Sequence, residues 1–138
     1  MTINIKLDAG AIMPNRAHDD DAGYDLYARE TKSIPVGGCA IFDTGVHIEI
    51  PRGYVGMVKS KSGLYFKHGL TGEGVVDSGY TGSIRVKLHN HGENYYMVRA
   101  GDKISQLVLL PIITPNLVLT EVLEESERGE NGFGSTGI

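Results

Sequence analysis

Apolar residues recur at every second position through several short stretches of the chain. Residues 83–90, SIRVKLHN, place Ile84, Val86 and Leu88 on one face and Arg85, Lys87 and His89 on the other. That is the two-residue period of a half-buried strand. HIEI (47–50), YVGMVK (54–59) and KISQLVLLPI (103–112) carry the same alternation or a continuous apolar, β-branched run and read as strands. Long helical stripes are absent, and only GLYFKH (63–68) suits a turn of helix. With nineteen glycines and turn residues at regular intervals, the pattern predicts an all-β sandwich or jelly roll with at most one short helix. Composition changes near residue 124, where EESERGENGFGSTG becomes acidic and then glycine-rich. The shift divides the chain into a jelly-roll domain, 1–123, and a flexible C-terminal arm, 124–138.

A chain of 138 residues is one domain by length, large enough to bury a core. Its net charge of −4 and pI near 5.7 give no basic footprint, so neither nucleic acid nor a membrane surface is an expected partner. Cys39 is the single cysteine and cannot form an internal disulfide, and MTINIKLDAG lacks the basic start and apolar core of a secretory signal. A cytoplasmic, intracellular location is expected. No run approaches the about 18 apolar residues needed to cross a bilayer.

Several segments carry candidate chemistry, each with a plainer alternative. DDDAGYDLYA (19–28) holds four carboxylates in seven residues, Asp19, Asp20, Asp21 and Asp25: a hard-cation site, or a solvated acidic turn. Lys61, Ser62 and Gly63 combine a cation, a hydroxyl and a glycine, as a phosphate-holding turn does, and also as an ordinary surface turn does. Asp77 follows an apolar strand end among glycines, where a carboxylate can take a proton from water or simply open a turn. Gln106 interrupts an apolar strand on the face expected for Ile104, Val108 and Leu110; its amide must bond backbone or face a ligand. In the arm, Arg128 and Phe133 are unusual linker residues. The backbone of GFGSTG, with the hydroxyls of Ser135 and Thr136, is able to wrap an anion. The five histidines show no metal-ligand spacing.

Taken in order, AGYDLYA (22–28), KSGL (61–64), GVVDSGYTG (74–82), GDKISQL (101–107) and RGENGFGSTG (128–137) resemble the five motifs of the trimeric dUTPase family across nearly the whole chain. The resemblance implies a jelly-roll homotrimer with active sites at subunit interfaces, in which the arm of one subunit closes a site built by two others. It implies hydrolysis of dUTP to dUMP and pyrophosphate by attack of water on the α-phosphorus. In that scheme Asp77 activates the water, and Asp25 holds Mg2+ through coordinated waters. Lys61, Ser62, Gly63 and Gln106 serve the phosphates. The main chain from Thr71 through Gly74, Val75 and Val76 reads the uracil edge, and Tyr80 lies against the deoxyribose. Phe133 stacks on the base, Arg128 reaches the terminal phosphates, and Gly134, Ser135 and Thr136 wrap the γ-phosphate.

Three positions depart from the family pattern: Lys61 stands where arginine is common, Gly79 where a second acidic residue is frequent, and Asn131 where glycine is frequent. Two alternatives differ in kind. A dCTP deaminase would share the fold, and Gly79 suits its pattern, but Lys87 occupies the position of that family's essential glutamate. A non-enzymatic jelly-roll module would use the glycine-rich end only as a tether.

Overall fold

The computed structural model describes residues 1–137. Eleven strands and one helix follow in order: β1 (Ile5–Leu7), β2 (Gly23–Tyr27), β3 (Lys32–Ile34), β4 (Cys39–Asp43), β5 (Val46–Ile48), β6 (Tyr54–Lys59), α1 (Ser62–His68), β7 (Leu70–Thr71), β8 (Gly74–Val76), β9 (Arg85–Asn90), β10 (Tyr96–Val98) and β11 (Lys103–Pro111). Every pairing is antiparallel. A four-stranded sheet in the order β2-β11-β6-β8 and a three-stranded sheet in the order β4-β9-β7 are flanked by the pairs β1-β5 and β10-β3. This is the expected all-β architecture with one short helix.

The alternation seen in the sequence becomes burial. Along β9, Val86 and Leu88 enter the core while Arg85, Lys87 and His89 face solvent. Phe42, Leu26, Ile34, Leu70, Ile84, Ile104 and Leu107 complete the fully buried centre. The helix stops where Gly69 takes φ 68°, so that its N–H reaches back to the carbonyls of Leu64 and Tyr65.

One expectation changes. A register shift between Lys103 and Ser105 inserts a bulge into β11, so Ile104 and Leu107 both face the core while Gln106 looks the other way. Gln106 therefore does not share a face with Ile104, because the extra residue resets the two-residue period. The last strand ends at Pro111, well before the change in composition at 124. Beyond it the described residues form no strand or helix, and Ile113, Leu117, Val118, Leu119, Val122 and Leu123 stand in solvent. Ile138, the last residue of the expected arm, lies outside the described residues.

A histidine joins the chain's beginning to the loop after β8. His47 on β5 has Nδ1 2.7 Å from the Thr81 carbonyl and Nε2 3.0 Å from Asp8 Oδ2. Both partners are acceptors, so both ring nitrogens must donate and the ring is an imidazolium. The hydrogen bond to Asp8 chiefly, then that to Thr81, raises its pKa above the ordinary 6.5; Lys6, its cross-strand neighbour, opposes the shift. Arg29 and Lys6 add their charges around Asp8. A raised folded value means stabilisation that is complete below 6.5 and lost as pH rises through the folded value. The melting-temperature advantage of the wild type over H47Q should thus be largest near about pH 6 and shrink towards about pH 9. A difference independent of pH would show that the ring is not charged.

Candidate active site

Three strands of the four-stranded sheet bring polar side chains into one row. Asp25 on β2 is opposite Gln106 on β11, and Gln106 is opposite Lys59 on β6. The neighbours of this row, Leu107 and Val58, face the core, so the row projects from the sheet's other face. Asp25 is nonetheless buried, at 5% exposure. Lys61 Nζ binds its Oδ1, and Lys103 Nζ lies 2.9 Å from its Oδ2. Burial alone would push the Asp25 pKa up, but the hydrogen bonds and charges of Lys61 and Lys103 together hold it below the ordinary carboxylate value. Lys103 is raised in return by Asp25.

Gln106 answers the question its sequence position poses, since its Nε2 donates to the Ser60 carbonyl at 3.2 Å. The amide's second N–H remains for another acceptor. Gly23 lies under this side chain: a Cβ there would stand 2.5 Å from Gln106 Oε1. Lys61 is the extended residue before α1, and Ser62 and Gly63 open the helix in solvent, where the first N–H groups have no partner within the helix.

The acidic run divides. Asp21 accepts from the His18 N–H at 2.9 Å in an exposed turn, and Asp19 and Asp20 are exposed beside it, while Asp25 is carried into the sheet. The four carboxylates do not converge, and among the described residues no group of three or more His, Cys, Asp or Glu side chains is placed to hold a metal ion.

A second cluster surrounds Asp77. Val75, Val76, Asp77, Tyr80, Ser83 and Arg85 line a cleft of about 290 Å³. Strand β8 is the edge of its sheet, paired only with β6, so its outer N–H and C=O groups are open to a ligand. After Val76 the chain turns, with the Tyr80 N–H donating to the Asp77 carbonyl at 3.2 Å and Gly79 at φ 83°. That left-handed position explains glycine where the family often has an acid. The Tyr80 hydroxyl donates to the Ser83 carbonyl at 3.1 Å, and its ring covers Gly82, where a Cβ would stand 2.4 Å from the hydroxyl. Ser83 is anchored in turn by Asp43, whose pKa is lowered first by that hydrogen bond and further by the Gly45 N–H and Arg29.

One chain does not bring the two clusters together. Val76 pairs with Gly56, and Lys61 lies five residues further along the extended chain of β6, about 17 Å at ~3.3 Å per residue. Asp77 lies beyond Val76 in the opposite direction, because the strands are antiparallel. Thr71 ends β7 with its Oγ1 3.0 Å from His91 Nε2. The arm stands away from both clusters: Phe133 is fully exposed, and the hydrogen bonds of Arg128, Gly129, Asn131, Ser135 and Gly137 are local turns. Gly134 takes φ 77°, whereas no non-glycine residue among those described, Asn131 included, has a positive φ.

Lys103, Arg85, Ser60 and Glu73 were not singled out by sequence reasoning. Lys103 lies three residues before Gln106, and an unbulged alternation would put it on the opposite face. Arg85 reads simply as the solvent face of β9. Strand order was the missing signal.

The donor set bears on a metal. One buried carboxylate with an ammonium group on each oxygen is a poor resident site for a bare dication. It fits only as an outer anchor, a carboxylate that would reach a hydrated magnesium ion through water.

The fold is a jelly-roll-like β structure, with the Lys61–Asp25–Lys103 cluster towards one end of a sheet and the Asp77 cleft towards the other. The profile described as dUTPase matches residues 9–137. The chain is 44% identical over 140 residues to the deoxyuridine 5'-triphosphate nucleotidohydrolase of Clostridium tetani, covering 99% of this chain and 97% of that one. It is 42% identical over 134 residues to the probable enzyme of Schizosaccharomyces pombe, covering 96% of each. Among solved structures, the dUTPase of Staphylococcus bacteriophage 80alpha with dUpNHpp superposes with a TM-score of 0.93 at 35% identity over 99% of both chains. A variant dUTPase of phage phi11 of S. aureus, whose structure reveals coordination of a structural Mg(II) ion, gives 0.84 at 31% identity, covering 91% of this chain and 100% of that one. The chain belongs to the dUTPase family.

Replacing Asp25 by Asn leaves Lys61 and Lys103 without their counter-charge. D25N should lose roughly 1–3 kcal/mol of stability near neutral pH in urea titrations. Because the folded pKa of Asp25 is depressed, the wild type's advantage is present above 3.8 and is lost as pH falls through the folded value. Equal stability of the two proteins at pH 7 would show that the lysines do not depend on this carboxylate.

Proposed function

We propose that the chain hydrolyses dUTP to dUMP and pyrophosphate, in sites shared between subunits of a homotrimer. The observation that carries this reading is the position of Asp77, directly after an edge strand with open main-chain groups and in one cleft with Tyr80 and Arg85. Main-chain groups of Thr71 at the end of β7 and of Gly74, Val75 and Val76 along β8 supply donors and acceptors of fixed polarity to a uracil. Cytosine exchanges a carbonyl for an amine and leaves such groups unpaired, which discriminates strongly. Tyr80 packs against the deoxyribose and leaves no room for a 2′-hydroxyl.

The reaction is an in-line displacement. Asp77 orients a water and accepts its proton as the oxygen bonds to the α-phosphorus, and the bond to the bridging oxygen of the leaving pyrophosphate breaks. Lys61, the N–H groups and hydroxyl at Ser62 and Gly63, and the free N–H of Gln106 donate to the phosphates as charge accumulates. Asp25 would hold Mg2+ through water, and the ion would supply neutralisation of the phosphate charge. The arm, residues 124–138, closes over the 1–123 domain of neighbouring subunits. Phe133 stacks on the base, Arg128 pairs with the terminal phosphates, and Gly134, Ser135 and Thr136 wrap the γ-phosphate, excluding bulk water.

Sharing is supported by the separation of the clusters: a triphosphate cannot span from Asp77 to Lys61 of the same chain while both act on one phosphorus. The exposed apolar residues from Ile113 to Leu123 are a second support, since such a run is normally covered by a partner. No helix among the described residues is long and apolar enough to cross a membrane. The deaminase alternative needs a carboxylate at position 87, and Lys87 points into solvent from β9.

Pyrophosphate release should be seen with dUTP and magnesium, and be far weaker with dCTP, dTTP or UTP; ammonia from dCTP would overturn the reading. D77N should bind dUpNHpp normally while turnover falls about 10²–10⁴-fold, and deletion of 128–138 should abolish turnover without dissociating the assembly. Mixing the two inactive proteins and reassembling them at equal ratio should restore activity to about a quarter of the sites, those drawing Asp77 and the arm from different intact donors. No recovery would sink the shared site.

A further inference from the structure

Ser60 connects the end of β6 to the Lys61–Ser62–Gly63 turn, and every polar group it has is held. Its N–H donates to Glu73 Oε1 at 3.2 Å, and its hydroxyl donates to the same oxygen at 2.9 Å. The Gly72 N–H donates to the Ser60 Oγ at 3.0 Å. Gln106 Nε2 donates to the Ser60 carbonyl at 3.2 Å. One hydroxyl proton and one accepting lone pair are both used, which fixes the rotamer. Glu73 is itself held from its other oxygen by Lys59 Nζ at 2.6 Å.

The hairpin that carries Glu73 cannot drift away. Gly72 is wedged so closely against β9 that a Cβ would meet Leu88 Cδ2 and the Lys87 carbonyl, each at 2.9 Å. Strand β8 then runs back along β6, with Gly74 opposite Val58. Glu73 and Lys59 are about half exposed, so their ion pair contributes little to stability by itself. Its geometric effect is larger: a rigid hairpin fixes a carboxylate, and the carboxylate fixes the residue that precedes Lys61.

We propose that Ser60 and Glu73 brace the phosphate-binding turn, acting as positioning residues that hold Lys61, Ser62 and Gly63 ready for the triphosphate without touching the nucleotide. The inference rests on the dUTP reading above. A turn ordered in advance loses less conformational freedom when phosphates bind. The benefit therefore falls on ligands that reach the turn, and a ligand held mainly through its base and sugar does not feel it.

Binding of dUMP and of dUpNHpp with magnesium should be measured by calorimetry in the wild type, S60T, S60V and E73Q. Threonine keeps the hydroxyl, and valine has the same shape without it. The expected result is a roughly tenfold weaker dUpNHpp affinity in S60V and E73Q, with dUMP affinity changed less than about twofold and S60T within about twofold of wild type for both. The KM for dUTP should rise in parallel with the dUpNHpp dissociation constant. Equal losses for dUMP and dUpNHpp, equal losses in S60T and S60V, or no loss in any variant would overturn the brace. E73Q, at an exposed carboxylate, supplies the comparison even where S60V folds poorly. A wild type that releases no pyrophosphate from dUTP overturns the dUTP reading and the brace together; normal wild-type turnover with unaltered S60V and E73Q overturns the brace alone.

Discussion

Extended backbone advances about 3.3 Å per residue, and β6 is the strand along which that advance decides where chemistry is possible. One end of β6 lies beside Val76, the residue before Asp77; its other end leads into Ser60 and Lys61. Because β6 is paired on both sides, by β11 and β8, it cannot buckle to bring its ends together without breaking two ladders. The carboxylate cleft and the lysine cluster are therefore fixed apart within one chain. The apolar stretch after Pro111 and the unpaired outer edge of β8 are features of the same kind. Each has a free face in the single chain.

The lysine cluster has its own constraint. A carboxylate as buried as Asp25 would favour its neutral form, and two ammonium groups reverse that preference. Lys61 and Lys103 arrive from different elements, one from the start of α1 and one from the first residue of β11. Pairing with Asp25 thus ties the Lys61 turn and the start of β11 to the edge strand β2. Lysine at position 61 suits this arrangement. A single flexible ammonium can move from a carboxylate to a phosphate oxygen, while a planar guanidinium held at two points is harder to redirect.

Much of this was legible in the sequence where residues repeat a period long enough to be read. β6, β9 and β11 each run six residues or more, and α1 carries its own glycine stop; all four follow from pattern. Strands β3, β7, β8 and β10 have two or three residues, too few for an alternation to stand out from chance. The bulge at Lys103–Ser105 was invisible because an apolar run reads the same with or without one extra residue, and it is the bulge that turns Gln106 away from Ile104. The end of the last strand was hidden for a similar reason: Ile112 to Leu123 keep a core-like composition although none of them is covered within the chain. Asp77, Tyr80 and Gln106 were identifiable from motif order. Lys103 as the partner of Asp25, and Glu73 as the partner of Ser60, required strand order, which no local window contains.

Strand order also explains why the turn around Gly79 tolerates its departure from the family pattern. The residue lies at φ 83° with no atom near the place a Cβ would occupy, so the constraint is the backbone angle and not space. A carboxylate at 79 would have to adopt the left-handed region, which costs an L-residue about 1 kcal/mol. Glycine removes that cost and removes a negative charge from the neighbourhood of Asp77 at the same time. Arg85 lines the same cleft as that turn, so glycine at 79 also leaves one carboxylate fewer in its surroundings.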